Sequence, residues 1–408
     1  MISRVILHSD LNNFFASVET MLHPEFKNVP LAVCGDPTLR HGIVLAKNES
    51  AKKAGVKTGM TIREAKKLCP DIVVTAPHPD EYEKVSKRVR AIYKQYTNQV
   101  EPFGIDEAWL DVTHSTHFGS GVEIANRLRQ EIKEKIGITA SVGVSFNKCF
   151  AKLGSDFKKP DATTEISKQN FRQFIWPLAV SDLLFVGKSA VEKLKKYNVF
   201  TIGDLAKTDE AFLQSKFGKM GSILFEYANG YDNSPVIAEG QEDCAKSIGN
   251  SITTYRDMVS EEDAKIPVYS LCDSVSARLQ ESGLGKATTV QLFVRDAYLR
   301  SYTRQCKIPP SSLSADFAQA IFQLMRKHDV FSSPLRAIGV SIRDFTLEGE
   351  QVDLLSFRAK RKKEELQKVI FELKDRYGKG VIDRAVVYSD VKMIKNGEHT
   401  FPEGDLDE

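Results

Sequence analysis

The chain has 408 residues, 42% hydrophobic and 27% charged, with 57 basic against 54 acidic side chains and a net charge of +3, which predicts two to four domains of an ordinary soluble globular protein. No apolar run approaches the roughly 20 residues that span a bilayer, and the stretch Met1–Leu7 reads as neither a signal peptide nor a lipidation site. The six cysteines include no C-x-x-C pair, which excludes a zinc knuckle or disulfide framework and suggests a reducing cytosol; the small basic surplus is compatible with nucleic acid without announcing it.

Val5, Ile6 and Leu7 form an apolar strand that runs into Asp10. Phe14, Phe15, Val18, Met21 and Leu22 then recur at helical spacing. Short glycine-punctuated elements follow through Gly35, Gly42, Gly55 and Gly59. A charged helix is predicted from about Asp80 to Gln99, with Tyr82, Val85, Val89, Ile92, Tyr93 and Tyr96 on its apolar face. The stretch from Glu101 to Val112 reads as strand, turn and strand, and Gly121–Ile136 as an amphipathic helix. Ala140, Val142, Val144 and Phe146 alternate as a buried strand. Together these predict an α/β unit with helices packed on one face of a sheet. Residues 168 to 233 are helical in pattern, with short loops at Val186–Lys188 and Gly218–Gly221, and 238–246 reads as a polar linker. An α+β domain follows, with helices at Ile266–Gln280 and Ser314–Lys327 and strands at Thr288–Val294, Arg300–Lys307 and Ala337–Phe345. A charged tail closes the chain, with one helix at Phe357–Tyr377. His114 and His117 lack nearby ligand partners and read as a surface turn.

Asp10 ends one strand, and the adjacent pair Asp106–Glu107 sits at the turn of another. Carboxylates at strand ends suit a hard divalent cation, although on spacing alone capping or solvation is the ordinary reading. The surrounding wording changes that weighing. The run from Leu7 to Glu19 resembles the first motif of the Y-family, the translesion DNA polymerases, and Gly104–Val112 resembles that family's second carboxylate motif. Two further blocks agree, Ala51–Gly59 and Ser145–Lys152 followed by Lys158-Lys159-Pro160. The four stand in the family's order, and the DNA polymerase IV branch is the nearest match.

The resemblance implies a right-hand polymerase, α/β and α+β in class: palm from residues 1–12 and 78–167, small fingers from 13–77, a helical thumb from 168–237, the linker, a little finger from 247–347 and the tail from 348–408. It implies template-directed, error-prone translesion synthesis without proofreading, on primer-template DNA and deoxynucleoside triphosphates, by two-magnesium nucleotidyl transfer. Asp10, Asp106 and Glu107 become catalytic metal ligands, with the Leu11 carbonyl as a further one. Phe15 falls at the steric gate against a 2′-hydroxyl; Phe14, Lys52 and Lys159 are expected at the nucleotide, and Lys148 and Lys152 near phosphates. Gly187 and Lys188 resemble a helix-hairpin-helix phosphate contact, and Arg295, Arg300, Arg304 and Arg343 are expected along the duplex. Gln351, Leu354 and Leu355 resemble a peptide that hooks the sliding clamp. A cytoplasmic monomer without membrane contact is expected.

This sequence also departs from the family. Asn12 stands where many relatives carry an acid and is not a ligand. Glu49 and Lys52 replace a tyrosine and an arginine that grip the triphosphate, so Lys52 keeps the charge without the bidentate fork. Gly104 replaces a common serine. Two other readings share these features: a non-catalytic DNA- and clamp-binding relative, and the catalytic subunit of a damage-induced mutasome.

Overall fold

The computed structural model describes residues 4–35, 42–238, 240–241, 245–347, 354–378 and 381–389. The chain forms two compact units that divide between residues 242 and 243.

The first unit opens with β1 (Ile6–Leu11) and α1 (Phe14–Leu22). A small excursion follows, made of β2 (Leu31–Cys34), β3 (Val44–Lys47), α2 (Glu49–Lys53), α3 (Ile62–Leu68) and β4 (Val73–Thr75). Its three strands stand in the order β3-β2-β4 around a minor core of Ala32, Val44, Ala51, Val56, Ala65 and Ile72. The chain then returns through α4 (Pro79–Tyr93), β5 (Val100–Pro102), β6 (Glu107–Asp111), α5 (Gly121–Lys135), β7 (Ala140–Ser145), α6 (Lys148–Phe157) and β8 (Thr163–Ile166). The main sheet has the order β5-β6-β1-β7-β8, with β1 central and antiparallel to both β6 and β7.

Helices cover this sheet on both faces, not on one as the periodicity predicts. On the first face α4 and α5 bury Tyr82, Val85, Val89, Ile124, Leu128 and Ile132 against Leu7, Leu110, Val142 and Val144. On the second face α6 lies almost on the backbone of β7. A Cβ at Gly143 would stand 1.9 Å from the Ala151 carbonyl oxygen and 2.5 Å from the Ser155 nitrogen, so only glycine allows this approach. The alternation in β7 therefore does not mark a solvated side; β1 and β7 are buried along both faces.

Five helices follow: α7 (Phe171–Ile175), α8 (Lys188–Lys195), α9 (Ile202–Lys207), α10 (Glu210–Phe217) and α11 (Lys219–Ala228). They enclose their own core of Ile175, Leu183, Leu194, Ile202, Leu205, Leu213 and Leu224, which joins Phe150 and Leu153 of α6. The segment leaving α11 is stitched to the sheet subdomain at several points. Asn147 Nδ2 donates to the Gly230 carbonyl at 3.0 Å, and the Cys149 N–H donates to Asp232 Oδ2 at 3.1 Å. Arg4 donates to the Ser234 carbonyl at 2.8 Å, and the Ile237 N–H to Glu101 Oε2 at 2.8 Å.

The second unit holds β9 (Ser247–Met258), α12 (Glu261–Ser282), β10 (Lys286–Asp296), β11 (Ser301–Ser311), α13 (Ser314–Lys327), β12 (Leu335–Thr346) and α14 (Leu354–Tyr377). Its antiparallel sheet runs β11-β10-β12-β9. The helices α12 and α13 cover one face, burying Leu271, Val275, Phe317 and Ile321 against Val290, Leu292, Ile338, Val340 and Ile342. Gln367 ties α14 to the start of α13, its amide oxygen accepting from the Ser314 N–H at 2.8 Å.

Candidate active site

Because β1 is buried on both faces, its alternation decides which side chains meet which helix. Leu7, Ser9 and Leu11 face α4 and α5, and Tyr93 of α4 donates its hydroxyl to Ser9 Oγ at 2.9 Å. Ile6, His8 and Asp10 therefore face α6. The register places Asp10 opposite Glu107 and His8 opposite Trp109, so Glu107 reaches the same side. Asp106 precedes β6 at a turn where Gly104 takes φ +85°, a conformation open to glycine and costly for a residue with a side chain. The Leu11 N–H donates to the Asp106 carbonyl at 3.0 Å, and Asp106 lines a small recess with Leu11, Ser86 and Tyr93. The three acids, far apart in sequence, thus meet at the adjoining ends of neighbouring strands.

Two lysines delivered by α6 and the loop after it neutralise this cluster. Lys159 Nζ lies 2.6 Å from Asp10 Oδ2 and 2.8 Å from Asp156 Oδ1. Lys152 Nζ lies 2.5 Å from Glu107 Oε2. Burial pushes the Asp10 carboxyl well above its ordinary range, with Lys159 opposing, and burial together with Glu107 raises Asp106. Burial would also raise Glu107, but His8 and Lys152 outweigh it and hold that carboxyl low. His8 is fully buried, and burial keeps its imidazole below the usual value. Its Nδ1 faces Ser155 Oγ at 2.9 Å, and its Nε2 stands 3.2 Å from Glu107 Oε2 without hydrogen-bond alignment, an electrostatic contact.

Acids that are costly to keep ionised and have only oxygen donors fit a hard divalent cation. Among the described residues no three such side chains already converge as a metal cage, because Asp10 and Glu107 are turned onto their lysines. Asn12 contributes nothing to that donor set: its amide takes a hydrogen bond from Ser141 Oγ at 2.9 Å and gives one to Thr139 Oγ1 at 3.1 Å.

Phe15 is half-buried and stacks on Tyr82, with ring centroids 4.3 Å apart and planes 11° apart. Phe14 is only 3% exposed and belongs to the core under the sheet, so its side chain is closed to a nucleotide and only its backbone remains available, in the first turn of α1. Lys52 is exposed and lies 3.8 Å from Glu49 within α2. Lys148 is held by Glu101 at 2.6 Å and lies over the Trp109 ring, so its charge is spent inside the fold and not on a phosphate. Gly187 caps α8, and with Lys188, Ser189, Lys193, Lys216 and Phe217 it lines an open depression.

The four arginines expected along the duplex divide. In register, Arg295 and Arg343 share the open face of the sheet, with Phe293 and Gln291, while Arg304 stands opposite Leu292 on the helix-covered face. Arg300 lies in the turn and is held by Asp296 at 2.8 Å. Of the predicted clamp peptide, Gln351, Val352 and Asp353 lie outside the described residues, and Leu354 and Leu355 begin α14.

Comparison with known proteins places this geometry. The pattern of the impB/mucB/samB family matches residues 9–156, its C-terminal domain matches 245–354, and a thumb domain described for DNA polymerase-iota matches 181–232. The chain is 47% identical to the DNA polymerase IV of Acetivibrio thermocellus, over 95% of this chain and 98% of that one. It is 38% identical to the DNA polymerase IV of Pelotomaculum thermopropionicum, over 96% and 97% respectively. The chain belongs to the bacterial DNA polymerase IV group of the Y-family. A solved Y-family polymerase chimera shares the fold at a TM-score of 0.71 and 24% identity, covering 84% of this chain and all of that one.

A Y-family polymerase depends on a divalent metal and acts on primer-template DNA with nucleotides. Among the described residues no helix is long and apolar enough to cross a membrane. Sequence reasoning missed His8, Tyr82 and Glu19 around this polymerase's site. The first was hidden because strand alternation cannot say which face a later helix will cover. The other two read as ordinary core and helix residues, and only the packing of α1 on α4 brings them together.

Proposed function

We propose that this polymerase extends a primer by transfer of a nucleotidyl group with two magnesium ions held by Asp10, Asp106, Glu107 and the Leu11 carbonyl. The observation that carries the reading is the register of β1 on β6, which brings Asp10 opposite Glu107 with Asp106 beside them. When bound, the ions would activate the 3′-hydroxyl and offset charge on the leaving pyrophosphate. Lys159, whose ammonium rests at Asp10, supplies positive charge for the incoming triphosphate, and exposed Lys52 adds a weaker contact. Phe15 presents a flat ring where a 2′-hydroxyl would stand and so selects deoxynucleotides. Gly187 and Lys188 meet a phosphate at the start of α8. Arg295 and Arg343, on one open face, follow the duplex backbone.

The palm comprises 1–12 and 78–167, the fingers 13–77, the thumb 168–237 and the little finger 247–347. The protein works as a cytoplasmic monomer that takes the sliding clamp through Gln351, Leu354 and Leu355. The test is primer extension with magnesium and four deoxynucleotides. Asp106→Ala should cut extension on the order of a thousandfold or more while leaving primer-template affinity within about twofold. Retained extension overturns the metal assignment.

A further inference from the structure

Helix α1 presents Phe15 and Glu19 one turn apart on one side, and His78, the residue that caps α4, stands four residues before Tyr82 in that helix. The two pairs close on each other. The Tyr82 ring lies parallel beneath Phe15 at 4.3 Å, and the Tyr82 hydroxyl donates a hydrogen bond to Glu19 Oε1. His78 Nδ1 stands 3.0 Å from both Glu19 oxygens, completing the bracket. Glu19 is completely buried, which an ionisable side chain tolerates only when its partners are fixed. Burial, reinforced by Glu19, keeps the Tyr82 phenol protonated and so keeps it a donor. On its other edge Tyr82 meets Phe14 edge-on at 6.2 Å, so its plane is set from two directions.

A residue that excludes a single hydroxyl must hold its depth to a fraction of an ångström, yet Phe15 sits on a short nine-residue helix and is only half-buried. One side of the ring packs against Ala16, Leu31 and Val33, while the ring stacked flat beneath it is that of Tyr82, anchored at its far end on the buried Glu19. We infer that Glu19, acting through the Tyr82 hydroxyl with His78 as a second support, is a positioning residue that sets the depth of Phe15 and thereby the enzyme's discrimination against ribonucleotides. The inference rests on the reading of Phe15 as the sugar gate and adds what holds the gate in place. Neither Glu19 nor Tyr82 touches the reacting atoms, so loosening the bracket alters sugar choice more than turnover of the correct substrate.

The experiment is single-nucleotide insertion opposite one template base by the full chain, comparing kcat/KM for a deoxynucleotide and the matching ribonucleotide. Four proteins are compared with the parent: Tyr82→Phe, Glu19→Gln, Phe15→Ala, and the double variant Phe15→Ala with Tyr82→Phe. Tyr82→Phe keeps the stacked ring and removes only the anchoring hydroxyl, so it remains informative if Glu19→Gln folds poorly. The expected result is a loss of roughly tenfold in deoxy-over-ribo preference for Tyr82→Phe, with kcat/KM for the deoxynucleotide within about threefold of the parent. In the Phe15→Ala background the same change should do nothing further, because the gate it positions is gone. If Phe15→Ala collapses sugar preference but Tyr82→Phe and every folded Glu19→Gln preparation keep it, the anchor is refuted and the gate stands. If Phe15→Ala leaves the preference intact, the gate reading fails, and the anchor with it.

Discussion

Lys159 and Asp161 occupy the same short loop after α6, and the loop is fixed from the side of α5. Asp161 Oδ1 accepts from Arg129 at 2.6 Å and Oδ2 from Lys133 at 3.1 Å. Burial would raise the Asp161 carboxyl, but these two cations outweigh it and hold it below the usual range. A lowered folded value stabilises the fold above the unfolded value of about 4, and the benefit disappears as pH falls through the folded value. Asp161→Asn should therefore cost about 1 kcal/mol at neutral pH. That difference in Tm from the parent should shrink below about pH 4. A difference that stayed constant from pH 7 to pH 3 would show that charge is not its source. The wording around Asp10, Asp106, Glu107 and Lys159 singled them out in the sequence, and the fold brings these four together. Glu107's partners could not be named there: His8 and Lys152 reach it from β1 and α6, elements whose shared face is created by packing.

At the scale of elements, the closest fit is between α6 and β7. Gly143→Ala should destabilise the protein by at least about 3 kcal/mol, because the added carbon overlaps backbone atoms that cannot rotate away. Thermal unfolding measures it, and a loss below about 1 kcal/mol would mean that α6 lifts off the strand cheaply. Helix positions were largely legible, since an amphipathic stripe is self-contained: the structure begins and ends α13 at Ser314 and Lys327 as the spacing predicts. Helix α4 is shorter than its apolar pattern, ending at Tyr93, because Tyr96 still packs inward from the turn that follows. Strand β9 escaped notice because it is an edge strand of mostly polar residues, with no apolar run to mark it. Helix α14 starts earlier than its sequence suggests and takes in Leu354 and Leu355.

At the scale of the whole molecule, synthesis and processivity should be separable, since the predicted clamp peptide follows β12 in sequence and includes none of the three carboxylates. Deleting residues 351–355 should leave distributive primer extension within about twofold of the parent and abolish its stimulation by a loaded clamp. Undiminished stimulation would place the clamp contact elsewhere.

The stitched segment from Gly230 to Ile237 has a mechanical consequence. Besides Arg4 and Glu101, its hydrogen bonds run to Asn147 and Cys149 at the start of α6, the same helix that carries Lys152 and leads to Lys159. Load applied to the helical subdomain by a bound duplex is therefore shared between the base of the helix that neutralises the acids and the edge strand β5 of the sheet. In denaturant, residues 4–241 should yield as one block, because parting the helical subdomain would expose Phe150 and Leu153 along with the seam.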